Sequence, residues 1–230
     1  MNRLLLSAVL VGFSALPARA DDDTALAAEA EQALRQGCRF FHEQVSTAGG
    51  YLWQYSSDLE RREGEGRADS QTVWVQPPGT PSVGLALLEA YRETGSPYLL
   101  EMACDAGRCL VRGQLQSGGW DYRIEFDPSR RRRYAYQADP DSQGGRNVST
   151  LDDNTTQAAL RLLVELDREL DFADEAIHRT ATNGLAALRR VQYPNGAWPQ
   201  RFEGPPESPP AVCQAAYPET WPREFPARTY

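Results

Sequence analysis

Three adjacent polar residues, Asp152-Asp153-Asn154, are the strongest candidates for chemistry in this chain. Carboxylate and amide oxygens are the ligands that calcium prefers in proteins, so the cluster predicts a metal site. The same residues stand directly before an apolar run with helical spacing, where Asp or Asn is also typical of a helix N-cap. The two roles are compatible, because one residue can cap the helix while Asp152 faces a cleft.

Two helices are predicted after this cluster, over 153–170 and 172–191. The first is apolar on most faces and the second has a single apolar stripe, which predicts a buried helix paired with a surface helix. The same pairing is predicted for 80–94 and 97–116, and another narrow stripe predicts a helix over 24–46.

A glycine-rich turn closes each predicted unit: Gly49-Gly50-Tyr51, then Gly118-Gly119-Trp120, then Asn195-Gly196-Ala197-Trp198. From the glycines at 50, 119 and 196, the steps are 69 and 77 residues, which indicates an internal repeat. We therefore predict an all-α fold, an α/α toroid of helix hairpins with long irregular loops such as 54–79. An open helical solenoid fits the same pattern, although its units are usually shorter.

The composition limits the class of protein and its location. The first 20 residues of the 230 read as a signal peptide, with an apolar run and an Ala-Arg-Ala cleavage site, so we expect a secreted or periplasmic domain over 21–230. No later stretch is apolar enough for a membrane span. The net charge of −8 argues against a nucleic-acid partner. All 24 basic residues are arginines, which bind carboxylates in a bidentate fork.

Four cysteines have spacings that match no zinc site: Cys38, Cys104, Cys109 and Cys213. We expect buried free thiols rather than disulfides.

Two segments of the chain resemble motifs of the pectate lyases of polysaccharide lyase family 10. Tyr193-Pro194-Asn195-Gly196-Ala197-Trp198-Pro199-Gln200 is similar to the YPNGGWPQ signature of that family. Ser149-Thr150-Leu151-Asp152-Asp153-Asn154-Thr155-Thr156 is similar to its STIDNDAT-type segment, about forty residues upstream, as here. The resemblance covers 80–203 well and the first helix loosely.

The resemblance implies an α/α toroid and calcium-assisted β-elimination of polygalacturonate. In that family Ca²⁺ neutralises the uronate carboxylate, and an arginine removes the C5 proton. Asp152 falls on a metal-binding aspartate of the motif and Asp153 on the asparagine beside it, so both are predicted at the metal. We predict that Trp198, Arg201 and Trp120 bind the acidic polysaccharide, although tryptophans after glycines are also typical of packing inside a ring. We expect a monomer.

The departures from the family pattern leave the catalytic base unknown. The second acidic motif and the catalytic arginine of the family would fall beyond Tyr230, so we expect a C-terminally incomplete chain without full lyase activity. Two alternatives stay open. One is a non-catalytic carbohydrate-binding toroid, and the other is a toroid hydrolase acting on uronides, with Asp152 paired with Asp121 or Asp127.

Overall fold

A computed structural model describes residues 20–139, 144–206 and 219–220. Within them the α-helices are α1 (Ala20–Phe40), α2 (Thr80–Thr94), α3 (Pro97–Gly113), α4 (Pro128–Arg131), α5 (Thr155–Glu169) and α6 (Glu175–Val191). A π-helical turn, Phe41–Val45, continues α1. The predicted signal peptide lies outside the described residues except for Ala20, at which α1 begins. No helix in this described part is long and apolar enough to cross a membrane.

The four long helices after α1 form two hairpins. Helix α2 packs along α3, and α5 packs along α6. The hairpins meet where α2 contacts α5 and where α3 contacts both α5 and α6. Gly84 permits this close approach, because a Cβ there would lie 2.4 Å from Leu162 Cδ2. The helices thus follow one another as successive hairpins of an α/α toroid, the predicted fold class.

The predicted order of burial is confirmed for the second hairpin and wrong for the first. Helix α5 buries more of its residues than α6. Helix α3, however, buries more of its length than α2. The reason is that Val83, Ala86 and Ala90 of α2 face an apolar cavity of about 520 Å³ that separates α2 from α1. Helix α1 is mostly exposed and covers this face incompletely.

The long loops contain short antiparallel strands, which the sequence pattern did not predict. The strands are β1 (Gln54–Tyr55), β2 (Arg62–Glu63), β3 (Arg67–Ala68), β4 (Thr72–Trp74), β5 (Arg123–Glu125), β6 (Ser149–Thr150) and β7 (Arg201–Phe202). The first three form one sheet, and the others pair as β4–β5 and β6–β7. Since β4 and β5 are about fifty residues apart in the chain, their pairing ties the first long loop to the Arg-rich segment after α3.

The closing turns repeat as predicted, with a shift of one residue in the last step. Gly49, Gly118 and Gly196 all take positive φ angles, of 85°, 102° and 87°. The structural step from Gly118 to Gly196 is therefore 78 residues. The sequence alone aligns Gly119 with Gly196, because Ala197 stands where the second glycine of the pair would be.

The cysteines that the structure describes are free thiols, as predicted. Cys104 and Cys109 are buried and Cys38 is half-buried. Burial raises the pKa of the Cys109 thiol to about 12. Cys213 lies outside the described residues.

Candidate metal and substrate site

The two segments that carry the sequence motifs meet in the β6–β7 ladder. Thr150 pairs with Arg201 across these strands. The ladder extends by one bond, since the Leu151 N–H donates to the Gln200 carbonyl at 2.8 Å. This pairing places the Asp152 turn beside the residues that directly follow Trp198.

Asp152 presents an ionised, partly exposed carboxylate at this junction. The Tyr122 hydroxyl donates to Asp152 Oδ2 at 2.8 Å. Hydrogen bonds from the Gln200 side chain and from Tyr122 lower the pKa of Asp152 below its usual value. Because hydrogen bonds to the charged form favour it, this carboxylate is available as an anionic ligand at neutral pH.

The backbone at Asp153 and Asn154 is left-handed at both residues, with φ angles of 49° and 60°. For a residue other than glycine this conformation costs about 1 kcal/mol, and such residues concentrate at functional sites. The turn directs the exposed Asp153 side chain toward Gln76, whose amide donates to Asp153 Oδ2 at 2.9 Å. The Gln76 oxygen in turn accepts from the Trp74 indole at 3.1 Å.

The expected N-cap is not made by this turn. Asn154 occupies the N-cap position of α5, but its side chain makes no capping hydrogen bond. Asp153 accepts from Gln76 instead. The turn therefore makes no side-chain cap for α5, and the interpretation of the cluster as a simple cap is wrong.

Arg201 lies over the ring of Tyr122. Its guanidinium carbon is 5.9 Å from the centre of the Tyr122 ring, and its side chain is exposed. A hydrogen bond with Tyr122 raises the pKa of Arg201. Tyr122 thus contacts one anionic and one cationic side chain, which places opposite charges at the same edge of the molecule.

The two tryptophans that we predicted to bind substrate differ in their exposure to solvent. Trp120 is 0% exposed, and its indole N–H donates to the Leu110 carbonyl at 2.9 Å. A ring without exposed surface cannot stack on a sugar, so Trp120 is a core residue and the prediction for it is wrong. Trp198 is 49% exposed while its indole N–H donates to the Leu188 carbonyl, which leaves a fixed ring partly open to solvent.

The oxygen donors of this site suit a hard cation but form an incomplete shell. In the ranges 20–139, 144–206 and 219–220, no group of three or more Asp, Glu, His or Cys side chains is arranged so that it could hold a metal ion. Calcium takes six to eight oxygen ligands. Asp152 and Asp153 therefore fit a calcium ion chemically only if water or a carboxylate-bearing substrate provides most of the shell.

The acid pairs considered for a hydrolase are already engaged in other contacts. Asp121 accepts from its neighbour's backbone N–H, that of Tyr122, and pairs with Arg146 at 2.8 Å. Asp127 caps α4 by accepting from the N–H groups of Ser129 and Arg130. Neither carboxylate is placed as a free partner for Asp152.

Three site residues were missed by the sequence reasoning: Gln76, Tyr122 and Gln200. Each touches Asp152 or Asp153 from a distant or loop position. Only Gln200 lay inside a recognised motif. For Tyr122, the one available signal was its position two residues after Trp120. Gln200 holds the equivalent position two residues after Trp198.

Comparison with known proteins is consistent with the motifs. The family model described as pectic acid lyase matches residues 88–208. A family 10 polysaccharide lyase from Cellvibrio cellulosa has 18% identity and a TM-score of 0.45, over 68% of this chain and 47% of that chain. An aspartate-to-alanine mutant of the family 10 polysaccharide lyase from that organism, in complex with trigalacturonic acid, has 19% identity and a TM-score of 0.43, over 68% and 48%.

The chain spans about half of the length of these solved structures. A search of curated proteins found no match. The matching family model, by contrast, covers more than half of the sequence, including both motifs. The chain therefore belongs to the pectic acid lyase family.

Proposed function

We propose that this protein acts in the calcium-assisted β-elimination of polygalacturonate. Membership of the pectic acid lyase family supports the substrate class. The observation that carries the proposal is the contact of Tyr122 with both Asp152 and Arg201. An anionic polymer that approaches this edge meets a carboxylate pair for a metal ion and a guanidinium for its own carboxylate.

Each side chain has a separate task in the proposed reaction. Asp152 and Asp153 would hold calcium, which when bound supplies positive charge against the charge that develops beside the substrate carboxylate. Arg201 binds a uronate carboxylate, and the exposed face of Trp198 packs against a sugar ring. Tyr122 and Gln200 keep the Asp152 carboxylate ionised and oriented. The arginine that removes the proton stays unassigned.

The cellular setting is part of the same proposal. The apolar run and cleavage pattern in residues 1–20 support export, and the domain is then 21–230. A polysaccharide substrate outside the cell agrees with export. We expect the protein to work as a monomer.

A second candidate function is carbohydrate binding without turnover. It is favoured by the partly exposed ring of Trp198 together with a donor set of two carboxylates in the described residues. The same edge would then bind polygalacturonate through calcium and leave the polymer intact.

One set of assays separates these functions. Polygalacturonate is incubated with the 230-residue chain and Ca²⁺, and the rise in ultraviolet absorbance of the 4,5-unsaturated product is followed beside calorimetric binding. We expect slow product formation, in keeping with a chain that lacks full lyase activity, and it should stop with a chelator and with Asp152→Ala. Binding without product supports the second candidate, and new reducing ends without the chromophore indicate a hydrolase.

The matched control is Glu60→Ala, which removes an exposed carboxylate from the loop between β1 and β2. It should leave calcium affinity unchanged, whereas Asp152→Ala should weaken it at least about tenfold, or about 1.4 kcal/mol. Equal calcium affinity in the two variants would show that Asp152 is not a metal ligand.

A further inference from the structure

The backbone of Arg146 is fixed between two segments of the protein. Its N–H donates to the Arg133 carbonyl at 2.7 Å, and its carbonyl accepts from the Ala135 N–H at 3.0 Å. The side-chain oxygen of the next residue, Asn147, accepts from the Ser117 N–H at 2.7 Å. The exposed side chain of Arg146 therefore extends from a rigid support, which is what a precise binding residue requires.

The guanidinium of Arg146 is oriented by a buried carboxylate. Its Nε donates to Asp121 Oδ2 at 2.8 Å, and the Tyr122 N–H donates to Asp121 Oδ1 at 2.8 Å. The Asp121 side chain is 9% exposed and the Arg146 side chain is 47% exposed. The carboxylate is thus covered while the guanidinium reaches solvent. An arginine bound through Nε still has two Nη groups, which can form an end-on fork with a second carboxylate.

Two neighbouring arginines are used instead to hold the loops together. Arg130 donates to the carboxylates of Glu125 and Asp69. Arg131 donates to one carboxylate and to two backbone carbonyls. Their side chains are 33% and 15% exposed, less than that of Arg146. Arg146 is therefore the better placed of the three to bind a ligand.

Arg146 and Arg201 contact two adjacent residues of the candidate site. Arg146 pairs with Asp121, and Arg201 lies over the ring of Tyr122, the next residue. The hydrogen bond with Tyr122 is the main cause of the raised pKa of Arg201, and the charges of Asp121 and Asp152 raise it further. Asp121 is thus within electrostatic range of both guanidinium groups, and the two arginines belong to the same edge of the molecule.

We propose that Arg146 is a second carboxylate-binding residue, which binds one uronate of an oligosaccharide while another uronate of the same chain binds Arg201. This inference rests on the proposed function, because it assigns one more residue to the same site. Two guanidinium groups at one edge favour a polymer with more than one free carboxylate. A methyl-esterified uronate lacks the charge that strengthens this hydrogen bonding, so the protein prefers stretches of low esterification.

The variant that tests this role is Arg146→Lys. Lysine retains the positive charge beside Asp121 but loses the planar fork that gives a carboxylate two parallel hydrogen bonds. Arg132→Lys is the matched control, because Arg132 is an exposed arginine of the same Arg-rich segment. The calcium-loaded proteins are titrated with galacturonate and with trigalacturonate. NMR measures the dissociation constants, and the ultraviolet chromophore checks that the trisaccharide stays intact.

We expect Arg146→Lys to weaken trigalacturonate binding about fivefold, the loss expected for one hydrogen bond. Its affinity for galacturonate should be unchanged, because a single uronate is bound by calcium and Arg201. Arg132→Lys should bind both ligands as the wild type does. In the wild type, trigalacturonate should also shift the NMR signals of the Arg146 Nε and Cζ atoms, which an ion pair with a purely structural role would not show.

Equal trigalacturonate affinity in Arg146→Lys and the wild type would overturn this inference and leave the proposed function standing. Unshifted Arg146 signals in a wild-type protein saturated with trigalacturonate would have the same meaning, whether or not the variant folds. An equal loss of affinity for galacturonate would place Arg146 at the same uronate as Arg201 and would also contradict the proposal. If the calcium-loaded wild type binds neither ligand, this inference and the proposed function both fail.

Discussion

The Tyr122 hydroxyl and the Asp152 carboxylate are joined by a 2.8 Å hydrogen bond across thirty residues of sequence. Tyr122 is held in place on its other side, because its carbonyl accepts from the Val75 N–H at 2.7 Å. The carboxylate that we assign to the metal is thereby tied to the backbone next to the β4–β5 pair. The position of Asp152 depends on both long loops as well as on its own turn.

Tyr122→Phe should raise the pKa of Asp152, because it removes a donor to the ionised form. Asp152 has a lowered pKa when folded. Its stabilising contribution is therefore present above the unfolded pKa, about 3.9, and is lost as the pH falls through the folded value. An NMR titration of the carboxyl carbon checks this. Tyr91→Phe, on α2, is the control, and an unchanged Asp152 titration in Tyr122→Phe would contradict the expectation.

Replacement by valine should affect the free energy of unfolding differently at two adjacent buried threonines. Thr156→Val removes the partner of the buried Trp120 N–H, which should lower the free energy of unfolding by about 1–3 kcal/mol. Thr155 Oγ1 is buried and has no hydrogen-bond partner among the described residues. Thr155→Val should therefore be neutral or stabilising. Urea unfolding of both variants measures the difference. Equal losses of unfolding free energy would show that the hydrogen bond from the Trp120 N–H to Thr156 does not contribute to stability.

Gly118→Ala should destabilise the protein more than Gly196→Ala, although the two glycines occupy equivalent turns. Both have positive φ, which costs an alanine about 1–2 kcal/mol. At Gly118 the added Cβ would also lie 2.4 Å from Ala187 Cβ, whereas at Gly196 the nearest atom is 3.9 Å away. The clash should add about 1–3 kcal/mol. Thermal unfolding of the pair checks the order.

Cys109 should be the slowest cysteine to react with a thiol reagent. Its thiol is buried, and burial raises its pKa to about 12. Unfolded cysteine ionises near 8.5, so the raised pKa makes stability fall as the pH rises from about 8.5 toward 12. In a Cys213→Ser background at pH 8, half-buried Cys38 should react first and Cys109 only on unfolding. Loss of the slowest phase in Cys109→Ala assigns it, and rapid labelling of Cys109 would contradict this burial.

The helices could be predicted from the sequence because their apolar spacing is local. The bounds of α2, Thr80–Thr94, agree with the predicted 80–94, and the other long helices shift by a few residues at their ends. The relative burial of α2 and α3 could not be read in the same way. An apolar face predicts that something should cover it, but how closely α1 approaches that face depends on tertiary packing.

The motifs of the candidate site could be predicted from the sequence, but the residues that hydrogen-bond to them could not. Asp152 and Arg201 come together because β6, inside the first motif, pairs with β7, directly after the second motif. Gln76 and Tyr122 come from loops whose pairing is long-range and leaves little local signal. Trp120 and Trp198 carry the same local motif, yet one is a core residue and the other is half exposed. Exposure of that motif is decided by the neighbouring unit, which lies far along the chain.

The hydrogen bonds of Thr80 and Thr156 with the preceding turns also impose an order on biosynthesis. The turn at Tyr51 cannot complete its hydrogen bonds until Thr80 has left the ribosome, and the turn at Trp120 must wait for Thr156. Each of these turns is thus completed by the hairpin synthesised after it, through a threonine 29 or 36 residues later. A chain that lacks the later helix leaves the backbone N–H of the earlier turn without its threonine partner, so each turn becomes stable only when the following hairpin is in place.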